Sequence, residues 1–211
     1  MKSNNMKIVL SLLSICLSLF ITPVHADQQS DLDKIIQKQK AIKTLTSDFI
    51  QEKHSTMLRD PLISEGNFLY KAPGKVAWIY TDQVQIVSDG NELTVYYEQL
   101  KEAEIVPAQN SFIRLPLSFN LWELKRYFTI DLTNKKSGYV VALVPKDASS
   151  IFQKMIITLL DNGVPDTVEM QEKGGDKSFI RFKDQKVNND IADKVFHLEL
   201  PKDTVIRRFQ Q

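Results

Sequence analysis

Three histidines, a single cysteine and scattered carboxylates are the residues through which this chain could perform nucleophilic, acid–base or metal chemistry. Neither His54 nor His197 has a second histidine at ligand spacing, so the pattern of a zinc site is missing. Asp48 and Glu52 come nearest to an acid pair, and a solvated surface accounts for them equally well. No G-x-S-x-G nucleophile elbow occurs. Gly174-Gly175, flanked by Lys173 and Asp176, has the composition of a turn and not of a phosphate-cradling loop. No catalytic residue, metal ligand or cofactor is assigned, and the chain reads as something other than an enzyme.

Aromatic surface is what the sequence concentrates instead. Phe68, Tyr70, Trp78, Tyr80, Tyr96 and Tyr97 crowd the first half. The elements carrying them are short strands, rich in Phe, Ile, Val, Tyr and Trp, over 47–55, 62–70, 75–80, 84–88 and 92–97. Strands return at 127–133, 139–145, 151–160, 166–171, 178–183 and 195–199. Asp89-Gly90 and the other glycine turns join them as hairpins, which predicts a mainly β, antiparallel sheet. Val-Ala-Trp-Ile-Tyr at 76–80 is apolar on both faces, whereas an antiparallel strand with one wet face alternates. Such a strand fits a curved sheet covered inside and out, or one enclosing a cavity; a cavity-free core fits the pattern too. Val76, Trp78 and Tyr80 share a face and form the first candidate cavity wall, with Phe68 and Tyr70 beside them.

Two helices flank this pattern. Ser30 or Asp31 can cap a helix running to about Thr44, with Leu32, Ile35, Ile36, Ile42 and Leu45 near one face. Leu117, Leu121, Trp122 and Leu124 can share a face of a second helix after Pro116, a candidate lid. No repeat or linker breaks the chain, so one domain is expected over 27–211.

The first residues read as an address. Lys2 and Lys7 precede an apolar run from Ile8 to Ile21, and Val24-His25-Ala26 supplies small residues for cleavage after Ala26. The run is shorter than the roughly 20 residues a membrane span needs. Cys16 lies inside it behind bulky Ile15, unlike a lipidation site, so the exported chain is expected to hold no cysteine. Without Lys2 and Lys7 the 27 basic residues fall to 25 against 26 acidic ones, a formal charge of −1. No basic excess exists to attract nucleic acid.

Phe49-x-Gln51, Ser64-x-Gly66, Lys71-x-Pro73, Trp78-x-Tyr80 and Val87-Ser-Asp-Gly90 occur in order, followed by Leu115-Pro-Leu-Ser, Leu143-x-Pro145 and a late Phe196…Pro201. This series resembles the periplasmic outer-membrane lipoprotein carrier family (LolA-like). The resemblance implies an open, unclosed antiparallel β-barrel, with helices as a lid over a hydrophobic cavity. It implies a monomeric periplasmic carrier of acylated lipoproteins that binds no nucleotide. Its partners would be an inner-membrane ATP-driven extractor and an outer-membrane acceptor. Relatives also bind other lipids, so a glycolipid or lipid-linked polymer is the alternative cargo. Where the best-known carriers place an arginine before the Lys-x-Pro proline, associated with lid contacts and forward handover, this chain has Ala72.

Overall fold

At Thr44 the apolar period changes from helical to alternating, and the backbone follows it. The computed structural model describes residues 24–108 and 119–209. Helix α1 spans Val24–Lys40, so it ends four residues before the sequence expectation. Leu45, read as part of its apolar face, belongs instead to the first strand, where it is fully buried.

The strands are β1 (Thr44–His54), β2 (Leu62–Lys71), β3 (Lys75–Tyr80), β4 (Val84–Ser88), β5 (Glu92–Tyr97) and β6 (Glu102–Pro107). A single helical turn, α2 (Leu121–Leu124), precedes β7 (Phe128–Lys135) and β8 (Gly138–Pro145). Then come β9 (Phe152–Leu159), β10 (Pro165–Glu172), β11 (Lys177–Val187) and β12 (Val205–Arg208). Among the described residues these form one 12-stranded sheet in the order β12-β6-β5-β4-β3-β2-β1-β11-β10-β9-β8-β7. All neighbours are antiparallel except β12 and β6. The ends, β12 and β7, do not pair with each other, so the fold is mostly β: one curved, open and unclosed sheet.

The main core lies on the concave face. It takes Leu45 and Phe49 from β1, Phe68 and Tyr70 from β2, Val76 and Trp78 from β3, and Ile180 and Phe182 from β11. Ile35 and Ile36 of α1 reach into the same cluster. Gly66 explains the Ser64-x-Gly66 spacing: a Cβ there would stand 2.1 Å from the Ile79 carbonyl oxygen. A side chain at this point would push β3 off β2.

A second, smaller cluster covers the convex face. Ala77 and Val87 point away from the main core and are buried under Ile191 and Phe196, with Ile79, Val195 and Leu198 packed around them. The segment after β11 is thus a strap across the outside of the sheet. Residues 195–199, expected as a strand, hold no strand: a 3-10 turn occupies Asp193–Phe196, and the chain continues extended without a ladder partner. Alternation is genuine there, because Phe196 is buried and His197 exposed, but it serves packing across a sheet and not pairing within one. Strands β6 and β12 were not expected from the sequence.

Lys71 and Lys75, flanking the β2–β3 turn, tie the strap down. Lys71 Nζ donates to the Ile191 carbonyl (2.7 Å) and pairs with Asp193 (2.7 Å), while Lys75 pairs with the other Asp193 oxygen (3.3 Å). Hydrogen bonds from both lysines hold the Asp193 carboxyl below its usual range. A depressed carboxylate contributes stability above its unfolded pKa, and that contribution disappears as pH falls through the folded value. The strap should therefore loosen below about pH 4. NMR signals of Val195 and Phe196, followed from neutral to acid pH, should shift in wild type, and Asp193→Asn should remove that step.

Candidate functional site

Strand register brings the sequence-selected wall residues together. Phe68 pairs with Trp78, Tyr70 with Val76, and Gly66 with Tyr80. Alternate residues share a face, so Phe68, Tyr70, Val76, Trp78 and Tyr80 all point into the concave side. Three aromatics not assigned to the wall from the sequence join them. Phe49 lies edge-on to both Trp78 and Tyr80, with centroids 4.9 Å away in each case. Phe182 is 5.5 Å from Phe68 and 5.8 Å from Trp78, and Phe119 stands 5.3 Å from Tyr70. Phe49 and Phe182 carried a signal, since each is the apolar member of an alternating strand. Tyr96 points to the other face and Tyr97 is half-buried, so neither joins the group.

The polar atoms among these rings are mostly satisfied. Tyr80 donates to Gln51 Oε1 (2.7 Å), and Asn120 Nδ2 donates to the Tyr70 hydroxyl (3.0 Å). Burial pushes both phenols up to about 12, so they stay neutral in use. For Tyr70 the Asn120 bond opposes that shift only partly.

Over this wall sits the segment expected as a lid. Leu121 and Leu124 are fully buried in the concave core, and Trp122 packs half-buried against it. Leu117, the fourth expected lid residue, lies outside the described residues. The lid is short, one turn and not a long helix, so the shared face is set by tertiary contact more than by helical repeat. Its anchor is Gln39 of α1, which the sequence reading missed. Gln39 Nε2 donates to the carbonyls of Phe119 (3.0 Å) and Gly163 (3.2 Å), and the Leu121 N–H donates to its Oε1 (2.9 Å). Gly163 leaves room for it: a Cβ at that φ of +87° would meet Gln39 Cγ at 3.1 Å. The signal was present, because Gln39 stands four residues after Ile35 on the apolar stripe, where a polar residue needs a partner.

The chemistry-bearing residues lie elsewhere and apart. Asp48 accepts from Asn67 Nδ2 (2.7 Å) on the convex face. Glu52, four strand positions on, is about 13 Å away by strand rise and contacts His54. His197 belongs to the strap. Among the described residues no three His, Cys, Asp or Glu side chains gather closely enough to hold a metal ion. Ala72 packs half-buried against the core at the β2–β3 turn, its N–H donating to the Lys43 carbonyl (2.8 Å).

An apolar concave wall, covered by the turn expected as its lid, is thus the organised feature of the molecule, and comparison with known proteins bears on the same stretch. The sequence model of the family described as "Outer membrane lipoprotein carrier protein LolA" matches residues 40–199, which span β1 to the strap and include wall and lid. An outer-membrane lipoprotein carrier protein of Alkalilimnicola ehrlichii is 30% identical over 196 residues, covering 90% of each chain. One from Pseudomonas syringae pv. syringae is 26% identical over 208 residues, covering 93% of this chain and 97% of its own. A solved structure of an uncharacterized conserved protein from Thermus thermophilus shares the fold, with a TM-score of 0.50 at 10% identity over 86% of this chain and 99% of that one. The match runs through every strand except β12 and through the lid turn, and on that ground the chain belongs to the LolA family of outer-membrane lipoprotein carrier proteins.

Proposed function

We propose that this protein is a periplasmic carrier that takes up the acyl chains of lipoproteins against its concave wall and shuttles them from the inner to the outer membrane. The observation that carries the proposal is the closed apolar wall under a lid, lying wholly inside the stretch matched by the carrier family. Each buried CH₂ of an acyl chain contributes about 0.8 kcal/mol. Several chains would bind too tightly to be released unless something competes. In this protein the competitor is the lid, whose Leu121 and Leu124 are fully buried against the apolar face. Net affinity is then the difference between cargo burial and lid burial. Trp78, Val76, Tyr80, Phe68 and Tyr70 form the wall that cargo meets, and the lid turn with Trp122 moves aside. Export by the leader, with cleavage after Ala26, places the protein in the periplasm. It receives cargo from an inner-membrane ATP-driven extractor and passes it to an outer-membrane acceptor.

Ala72 favours a second reading, a carrier of another lipid, because handover in the best-known carriers involves an arginine at this position. The two readings separate in one experiment. A fluorescent probe bound to the exported chain is displaced with a triacylated lipopeptide, a phospholipid and a free fatty acid. Preferential displacement by the lipopeptide is expected; preference for another lipid would move the assignment to the second reading, and no binding would end both. Installing the arginine, Ala72→Arg, should add a lid contact and slow spontaneous ligand exchange severalfold in stopped flow. Unaltered or faster exchange would count against a handover role for this position.

A further inference from the structure

Trp78 carries a contradiction at the middle of the wall. Its side chain is 93% buried by its 7% exposure, among Phe49, Phe68 and Phe182, yet its Nε1–H has no hydrogen-bond partner among the described residues. Buried tryptophan N–H groups normally find an acceptor, and an orphan donor costs stability. The neighbouring polar groups show how the rest of the wall is built. Tyr80 has Gln51, Tyr70 has Asn120, and Gln39 has three backbone partners. A phenylalanine would serve the ring packing at Trp78 without leaving a donor stranded. The surrounding rings offer only weak π acceptors.

We infer that the Trp78 indole N–H is a binding site for the carbonyl oxygen of an acyl ligand, so that the protein recognises acyl esters or amides and not alkyl chains alone. The inference rests on the lipid-carrier reading and adds to it a polar contact inside an otherwise apolar site. An indole N–H donates only, so its complement must be an acceptor. An acyl chain brings one acceptor of the right kind, the carbonyl oxygen at its head. Pairing the two satisfies a donor that the protein's own groups leave unsatisfied. The gain exists only when cargo is bound, so the contact favours loading over closure and fixes the chain's register along the wall.

The test uses the exported chain with N-phenylnaphthylamine as a neutral probe. Dipalmitoyl phosphatidylglycerol and its ether-linked dihexadecyl counterpart compete with it; they differ in their carbonyls and match in chain length. Wild type should prefer the ester lipid by roughly tenfold. Trp78→Phe should abolish that preference; loss of packing alone would weaken both lipids alike. Wild-type NMR gives a check that does not depend on the variant folding: the Trp78 indole N–H signal should move downfield with the ester lipid and not with the ether. Equal affinity of wild type for the two lipids, or a preference retained in Trp78→Phe, would overturn the inference while leaving a lipid carrier in place. Displacement by neither lipid would overturn this inference; a triacylated lipopeptide in the same assay separates the two readings, because the carrier stands if the lipopeptide displaces the probe and falls if it does not.

Discussion

Replacing Gln39 with leucine should free the lid while the sheet stays folded. Gln39 is fully buried and makes three hydrogen bonds to backbone groups of two separate segments. Leucine fills nearly the same space and supplies none of them. The Leu121 N–H and the Phe119 and Gly163 carbonyls would each lose a buried partner, at about 1–3 kcal/mol apiece. These groups cannot be rewetted while the lid is closed. The least costly relief is for the segment around 119–124 to lift and take water, since the strands are held by ladders that do not involve Gln39. A lower limit of about 3 kcal/mol corresponds to roughly a hundredfold loss of closure. Hydrogen exchange at the Leu121 amide should accelerate by that factor, with the β1 and β2 amides still protected. An unchanged rate at Leu121, or uniform loss of protection across the sheet, would show that Gln39 does not act as the lid's anchor.

The sheet was legible because its strands obey a two-residue period with glycine turns, and that signal is local. Val76 to Tyr80 shows how far it reaches. An apolar run on both faces fitted cover on both sides, an enclosed cavity or a plain core, and the structure shows cover on both sides: the aromatic wall inside, and the Ile191–Leu198 strap outside. Which segment supplied the outer cover could not be read, because residues 195–199 alternate as a strand would while pairing with nothing. What holds the strap is Lys71 and Lys75 meeting Asp193 from more than a hundred residues away, and no local pattern records such a meeting.

The missed strands fail for different reasons. Strand β6 buries Ala103 and Ile105 on the face opposite to the main core, alternating with Glu102 and Glu104, which dilute its hydrophobicity. Strand β12 is four exposed residues held at the sheet edge by parallel pairing to β6, so burial leaves no mark on its sequence. The wall fared better than the lid. Phe68, Tyr70, Val76, Trp78 and Tyr80 converge because hairpin register follows from alternation. The lid's position depends on Gln39 and Asn120, polar residues whose partners lie 80 and 50 positions away. Their roles are set by tertiary geometry.

Competition between lid and cargo is tested most sharply at Leu121. Leu121→Asn removes a fully buried apolar side chain from the lid, about 2 kcal/mol of burial, and introduces an amide with no partner prepared for it, about 2 kcal/mol more. Closure should weaken by roughly a thousandfold. If the wall is filled by lid or cargo but not both, apparent affinity is the intrinsic affinity multiplied by the fraction of molecules already open. A variant that is more often open must then bind N-phenylnaphthylamine more tightly, with a gain that levels off once most molecules are open. Its lid amides should exchange faster in the same sample. Faster exchange with weaker binding would place Leu121 on the cargo-contacting wall and not on a competitor of cargo. Unchanged probe binding together with unchanged lid exchange would end the competition mechanism. In that case Leu121 and Leu124 would be ordinary core, and release of cargo would need a different source of free energy.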